Sequence, residues 1–292
     1  MDSIHLHLED PNPDSFDGNI LRIVEDGIQQ SPATSAKDAA HALDAVYTQY
    51  MTQNPDQDPE GFLLCFWELL CSFASQVSHD DPAQDKLVAI IKELTALPSR
   101  TIIIWQDECK LWSDMPLFDA EFPPRWKALP TDLSDEAKKQ KFLNIQAYAA
   151  RILGQRLTSL ERHAIWALSE AVEGAIIPVR GTPDIASADP TAVEDHSCKV
   201  AVAAVWVIHA GRALFGRDED IPGTHGGPLW ALPKKEAAKL SVNYRGTQGL
   251  CDNRWKLWKD QFCAIRDCEL VDVDTREIAG RAVLAMEGAE QG

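Results

Sequence analysis

Twelve residues, from Phe62 to Phe73, do most to limit what this chain can become. Phe62, Leu63, Leu64, Cys65, Phe66, Trp67, Leu69, Leu70 and Phe73 would surround a helix on nearly every side. A helix that is apolar all round has to be buried. This one is interrupted by Glu68 and is too short to span a bilayer, so other helices must enclose it.

The flanking sequence supplies those helices. Ile20, Leu21, Ile23, Val24 and Ile28 follow a cap at Asp17 or Asn19. Between Ser35 and Gln53, Ala39, Leu43, Val46, Tyr47 and Tyr50 step by three and four along one face. Leu87, Ile90, Ile91, Leu94 and Leu97 do the same between Asp81-Pro82 and Pro98. Further helices are expected from Ser134 to Arg156, after the capping box Thr158-Ser159-Leu160-Glu161, and from Val193 to Phe215. Two more would carry Trp255, Trp258, Phe262 and Ile265, and follow the box Asp274-Thr275-Arg276-Glu277.

Thr101-Ile102-Ile103-Ile104-Trp105 is the one strand-like run, and no second run of similar quality is there to pair with it. It is read as a buried extended segment or a short helix. There are neither sustained heptads nor a repeat of about twenty to fifty residues, which argues against a coiled coil or a solenoid. The expected fold is all-α, a single globular multi-helix array over residues 15–288 with at most one short extended segment. Aromatic-rich loops fall at 105–130 and 216–249, and residues 1–14, which include Asp10-Pro11-Asn12-Pro13-Asp14, form a disordered tail.

A net charge of -17 places repulsion between the chain and phosphate backbones or anionic lipid, so neither nucleic acid nor membrane is an expected partner. Lys138-Lys139-Gln140-Lys141 and Lys234-Lys235 are short and have acidic neighbours, and read as solvated helix faces. The opening residues Met1-Asp2-Ser3-Ile4-His5 lack the form of a signal peptide. Seven cysteines, an odd number with no C-x-x-C pair, suit reduced thiols in a cytoplasmic or nuclear protein better than disulfides or zinc. No metal and no cofactor is expected, because no phosphate-binding glycine motif, nucleophile elbow, zinc helix or kinase signature occurs.

Three constellations remain. Trp166 and Glu170 are four apart, so a carboxylate either lies beside an indole as a general acid or is a surface glutamate on a packed stem. Trp206 and His209 sit in an Ala/Val-rich helix, where the imidazole is either a satisfied core residue or an acid/base group. Asn144, Tyr148 and Arg151 share a face and make either a buried polar network or a polar wall for a ligand. A site, where there is one, is expected where the Trp166/Glu170 and Trp206/His209 helices meet Gly226-Gly227-Pro228-Leu229-Trp230 and the Trp255/Trp258 helix.

Leu111-Trp112-Ser113-Asp114-Met115-Pro116-Leu117, Phe142-Leu143-Asn144-Ile145-Gln146-Ala147-Tyr148-Ala149-Ala150-Arg151, Gly226-Gly227-Pro228-Leu229-Trp230 and Arg254-Trp255-Lys256-Leu257-Trp258-Lys259 occur in that order. From about Trp105 onward the chain thereby resembles a family of filamentous fungi known as domain of unknown function 3632. The resemblance implies a helical, cytosolic fungal protein and transfers no catalytic residue; the stretch from Lys234 to Gly249 is longer than the family's pattern. Together these features favour a noncatalytic module that binds a small apolar metabolite or a protein partner, and they set no oligomeric state. The alternative is a cofactor-independent enzyme of specialised metabolism, with Glu170 and His209 as catalytic acid/base groups in a pocket lined by Trp166, Trp206, Gly226, Gly227, Trp230, Trp255, Trp258, Asn144, Tyr148 and Arg151.

Overall fold

A computed structural model describes residues 3–9, 15–29, 34–122, 133–178, 185–230 and 248–292. The described chain is 62% helical, as the periodic segments require. Its contacts gather into two compact units, residues 1–158 and 159–292.

In the first unit, α1 (Ser15–Ile28), α2 (Ala36–Gln53), α3 (Pro59–Gln76), α4 (Ala83–Thr95) and α5 (Asp135–Gly154) pack together. Helix α3 has the enclosed position its composition demands, with Phe62, Leu63, Phe66, Trp67, Leu70 and Phe73 buried and only Cys65 and Glu68 fully open on that stretch. Trp67 donates its indole N–H to the Pro116 carbonyl at 2.8 Å, and Trp112 donates to Asp44 Oδ1 at 2.6 Å. These bonds tie the segment after residue 110 to α2 and α3, so this part of the aromatic-rich loop is packed. Residues 123–130 of that loop, and residues 231–247 of the loop expected at 216–249, lie outside the described residues.

The strand-like run differs from expectation. Thr101–Ile104 (β1) pairs antiparallel with Asp107–Lys110 (β2), which the polar sequence Asp107-Glu108-Cys109-Lys110 hides from a hydrophobic pattern. Trp105 and Gln106 make the turn at φ 49° and 76°, left-handed values that two-residue hairpins need and that sequence signals lead one to seek at Asn-Gly. The run is also largely exposed, with Ile103 at 61% and Trp105 at 66%.

Residues 3–9 depart from the disordered tail as well: they lie extended on the first unit with Leu6 buried. Residues 10–14 are outside the described residues.

The second unit contains α6 (Glu161–Val172), α7 (His196–Leu214), α8 (Asp252–Asp267) and α9 (Val273–Glu290). A second antiparallel pair, β3 (Ala175–Ile177) with β4 (Ile185–Ser187), adds further extended structure. Helix α7 is long and apolar enough by length and composition to cross a membrane, with mean hydropathy 1.3. Its apolar surface is instead largely satisfied by packing on α6 and α9, and 61% of that window is buried.

Both expected capping boxes are replaced. Glu161 is drawn into bonds with Arg217 Nη1 and Ser159 Oγ, each 2.6 Å, so it does not reach back to the backbone of residue 158. The last helix is capped earlier, by Asp272 accepting from the Thr275 N–H at 2.9 Å. In the first unit Ser35 and Ser134 cap α2 and α5, their hydroxyl oxygens accepting from the N–H groups of Asp38 and Ala137.

Candidate functional site

The end of α6 carries a charge where solvent cannot reach it. Glu173 follows the helix and Gly174 takes a left-handed φ of 81°, so the chain turns sharply and leaves the Glu173 carboxylate inside the unit. Arg254, in the first turn of α8, meets it there. Both side chains have no exposed surface.

Every polar atom of this pair is used. Glu173 Oε1 accepts from Arg254 Nε and from Trp258 Nε1, both at 2.7 Å. Oε2 accepts from the Gly227 N–H at 2.5 Å and from Arg254 Nη2 at 3.3 Å. The remaining guanidinium hydrogens go to Ser169 Oγ at 3.0 Å, the Thr224 carbonyl at 3.0 Å and the Gly249 carbonyl at 2.9 Å, so all five donors of the fork are taken. The guanidinium also lies 5.3 Å from the ring centre of Trp230 and 5.5 Å from that of Trp258, within cation–π range. A buried pair of this kind contributes little net stability, but losing one partner strands the other, so it locks the geometry of whatever it holds.

What it holds is the glycine loop. The Glu173 carbonyl accepts from the Leu229 N–H at 2.8 Å, the carboxylate holds Gly227, and Arg254 holds the Thr224 and Gly249 carbonyls. The chain comes so close that a Cβ on Gly226 would lie 2.5 Å from Trp230 Cδ1 and 2.7 Å from Glu173 Oε2, at a φ of 92°. Only glycine fits there.

Against this fixed loop, one face of α6 encloses an open cleft of about 370 Å³. Trp166, Ser169 and Glu170 form one side, and Gly223, His225, Gly226, Gly227 and Pro228 the other, with Gly174 at the end. The Trp166 indole is 39% exposed and is held in place by its N–H, which donates to the Gly223 carbonyl at 3.0 Å. Glu170 and His225 are exposed at the cleft.

The sequence-derived candidates divide into three groups. Glu170, Trp166, Gly226 and Gly227 come together at the cleft. Trp206, Trp230 and Trp258 have no accessible surface, so no space large enough for water touches them. Trp255 is nearly as buried, donates to Glu290 Oε1 at 3.0 Å and packs against the bare face of Gly211. These four indoles form packed core. His209 is partly exposed on α7 and is not one of the cleft-lining residues.

Asn144, Tyr148 and Arg151 belong to the first unit, where Asn144 and Arg151 are hydrogen-bonded and the Tyr148 hydroxyl is not. Asn144 accepts from the His79 N–H at 2.9 Å and donates to the Ser75 carbonyl at 2.8 Å. Arg151 donates to the His79 carbonyl at 2.9 Å and to Asp85 Oδ1 at 2.8 Å, so α5 clamps the turn between α3 and α4. Tyr148 between them is fully buried with its hydroxyl unpaired, and burial pushes the phenol well above its ordinary value.

Glu173 and Arg254 were not among the candidates. The available signal was Arg254 itself, four residues before Trp258 on the apolar face of its helix, where an arginine requires a buried acceptor. Among the described residues no group of three or more His, Cys, Asp or Glu side chains has the geometry to hold a metal ion.

Residues 67–262 match the family described as protein of unknown function, DUF3632. The chain belongs to the DUF3632 family. The matched stretch contains the buried pair, the cleft and every sequence-derived candidate. No curated protein and no solved structure matches this DUF3632 chain.

Proposed function

We propose that this DUF3632 protein is a noncatalytic binding module, and that the cleft of its second unit takes a small ligand with a flat apolar body and a basic nitrogen. The observation that carries the reading is the cleft's construction: a fully bonded buried ion pair holds one wall rigid, while an exposed indole and an exposed carboxylate face the opening from the other. Rigid walls lower the ordering cost of binding. Trp166 offers a flat apolar surface with a negative face, which attracts cations, and Glu170 offers the counter-charge. The chain's net charge of -17 favours the approach of a cation.

The enzymatic alternative asks Glu170 and His209 to act on one molecule. Glu170 lines the cleft and His209 does not, so these two residues do not meet one molecule there. Isothermal titration calorimetry with tryptamine, a small aromatic amine, tests the reading. Wild type is expected to bind it, and Glu170→Gln to bind about tenfold more weakly. Equal affinity for the two proteins, or no heat at millimolar tryptamine, contradicts it.

A further inference from the structure

Residues 3–9 are held on the first unit by bonds that read main chain. The Ile4 N–H donates to Gln29 Oε1 at 3.1 Å, and Gln29 Nε2 donates back to the Ile4 carbonyl at 2.8 Å. Three residues on the same arrangement recurs, with the His7 N–H on Gln76 Oε1 and Gln76 Nε2 on the His7 carbonyl, both at 2.9 Å. The Leu6 N–H donates to Glu25 Oε1 at 3.1 Å. Successive peptide groups of an extended chain point to opposite sides. Ile4 and Leu6 therefore address the end of α1, while His7 addresses the end of α3.

A helix has no free backbone groups along its length to offer a strand. A carboxamide carries the same donor and acceptor as a peptide group. Gln29 and Gln76 thus stand in for the two neighbouring strands that an inserted strand would have. Side-chain contacts follow the two-residue period: Leu6 is 7% exposed, Ile4 and Leu8 are half-buried, and Ser3, His5, His7 and Glu9 face solvent. Among the described residues, the outward side chains add a bond from His5 to Glu25 and an ion pair of Glu9 with Lys141. Main-chain pairing with pockets for alternate side chains is how folded domains take up extended peptides.

We propose that this groove is a peptide-binding surface and that residues 3–9 are its resident, displaceable occupant. The partner it fits is an extended segment of another protein with apolar residues at alternate positions, in the pattern of Ile4, Leu6 and Leu8. A groove of about 1030 Å³ beside the strap is rimmed by Glu25, Asp26, Asp80 and Asp81 against a single Lys86, so lysine or arginine at the partner's outward positions gains from the rim. The strap buries one side chain fully, which places its release at the easily opened end of the molecule's motions. Tethered in cis it acts at an effective concentration of about millimolar, so the groove is closed to weak partners and open to strong ones.

The test uses the full-length chain and a fluorescein-labelled peptide of residues 1–9, read by fluorescence anisotropy. Leu6→Ala in the chain loosens the strap, and that chain is expected to bind the probe about tenfold or more tightly than wild type. A probe carrying its own Leu6→Ala change, or a chain with Gln76→Ala added, is expected to lose that gain. A probe with lysine at the positions of His5 and His7 should bind more tightly than one with glutamate there. Equal binding by the two chains, or none by the Leu6→Ala chain at about millimolar concentration, overturns the proposal. A second measurement needs no variant: in wild type the amides of Ile4, Leu6 and His7 should exchange with solvent far faster than those of α3. Protection equal to that of α3 also overturns it.

Discussion

Arg254→Met leaves a side chain of similar length and removes every bond that Arg254 donates to Glu173, Ser169, Thr224 and Gly249. The carboxylate would keep Trp258 Nε1 and the Gly227 N–H but lose its counter-charge and two of its four donors. Because both side chains are wholly inaccessible, water cannot take the arginine's place without the unit opening. Removing one member of such a pair costs about 3 to 5 kcal/mol. A domain's whole stability is about 5 to 15 kcal/mol, so the loss is a large fraction. At about 2 to 4 °C per kcal/mol the melting temperature should fall by roughly 6 to 20 °C. Urea unfolding followed by Trp fluorescence measures the same loss as free energy. Adding Glu173→Leu should recover part of it, since the stranded charge is gone as well. A loss below about 1 kcal/mol for Arg254→Met, or a double variant no better than the single one, would refute the argument.

Two further changes separate packing from titration. Tyr148→Phe should leave the melting temperature unchanged or slightly raised, because the hydroxyl it removes is buried without a partner; a clear loss in thermal unfolding would mean that the hydroxyl is bonded. Burial pushes the His196 imidazole below its ordinary value, against the attraction of Asp272 and Asp189. The unfolded chain takes up this proton from about pH 6.5 downward and the folded chain only at lower pH. The stability held by neutral His196 is thus whole above that pH and is lost as pH falls through the folded value. His196→Gln should flatten the acid side of a melting profile, and parallel profiles for the two proteins would contradict this.

Helical architecture was legible because periodicity and capping act locally: the faces of Leu43/Tyr47 and Ile90/Leu94 are buried as their spacing requires. The hairpin at Thr101–Lys110 was not, because its second strand is polar and its left-handed turn uses Trp105-Gln106, not the residues that usually signal one. The strap was visible only as the alternation Ile4, Leu6, Leu8; what orders it, Gln29 and Gln76, lies some 25 and 69 residues away in the chain. Of the site, the glycine pair and the Trp166/Glu170 face were legible as a place. The tryptophans of α7 and α8 suit the walls of that place by sequence, but indoles on the inward faces of packed helices fill space by default. Glu173 is not legible in the sequence, because a lone glutamate after a helix looks like solvated surface until its distant arginine is known.

A ligand of this protein is expected to meet the Trp166 face of the cleft and not the buried indoles. Heteronuclear NMR of nitrogen-labelled protein resolves it directly, since each of the nine tryptophans contributes its own indole N–H signal. During a tryptamine titration the Trp166 signal should shift in a saturable way while those of Trp206, Trp230 and Trp258 stay in place. Movement of the buried signals with Trp166 unmoved would contradict the account.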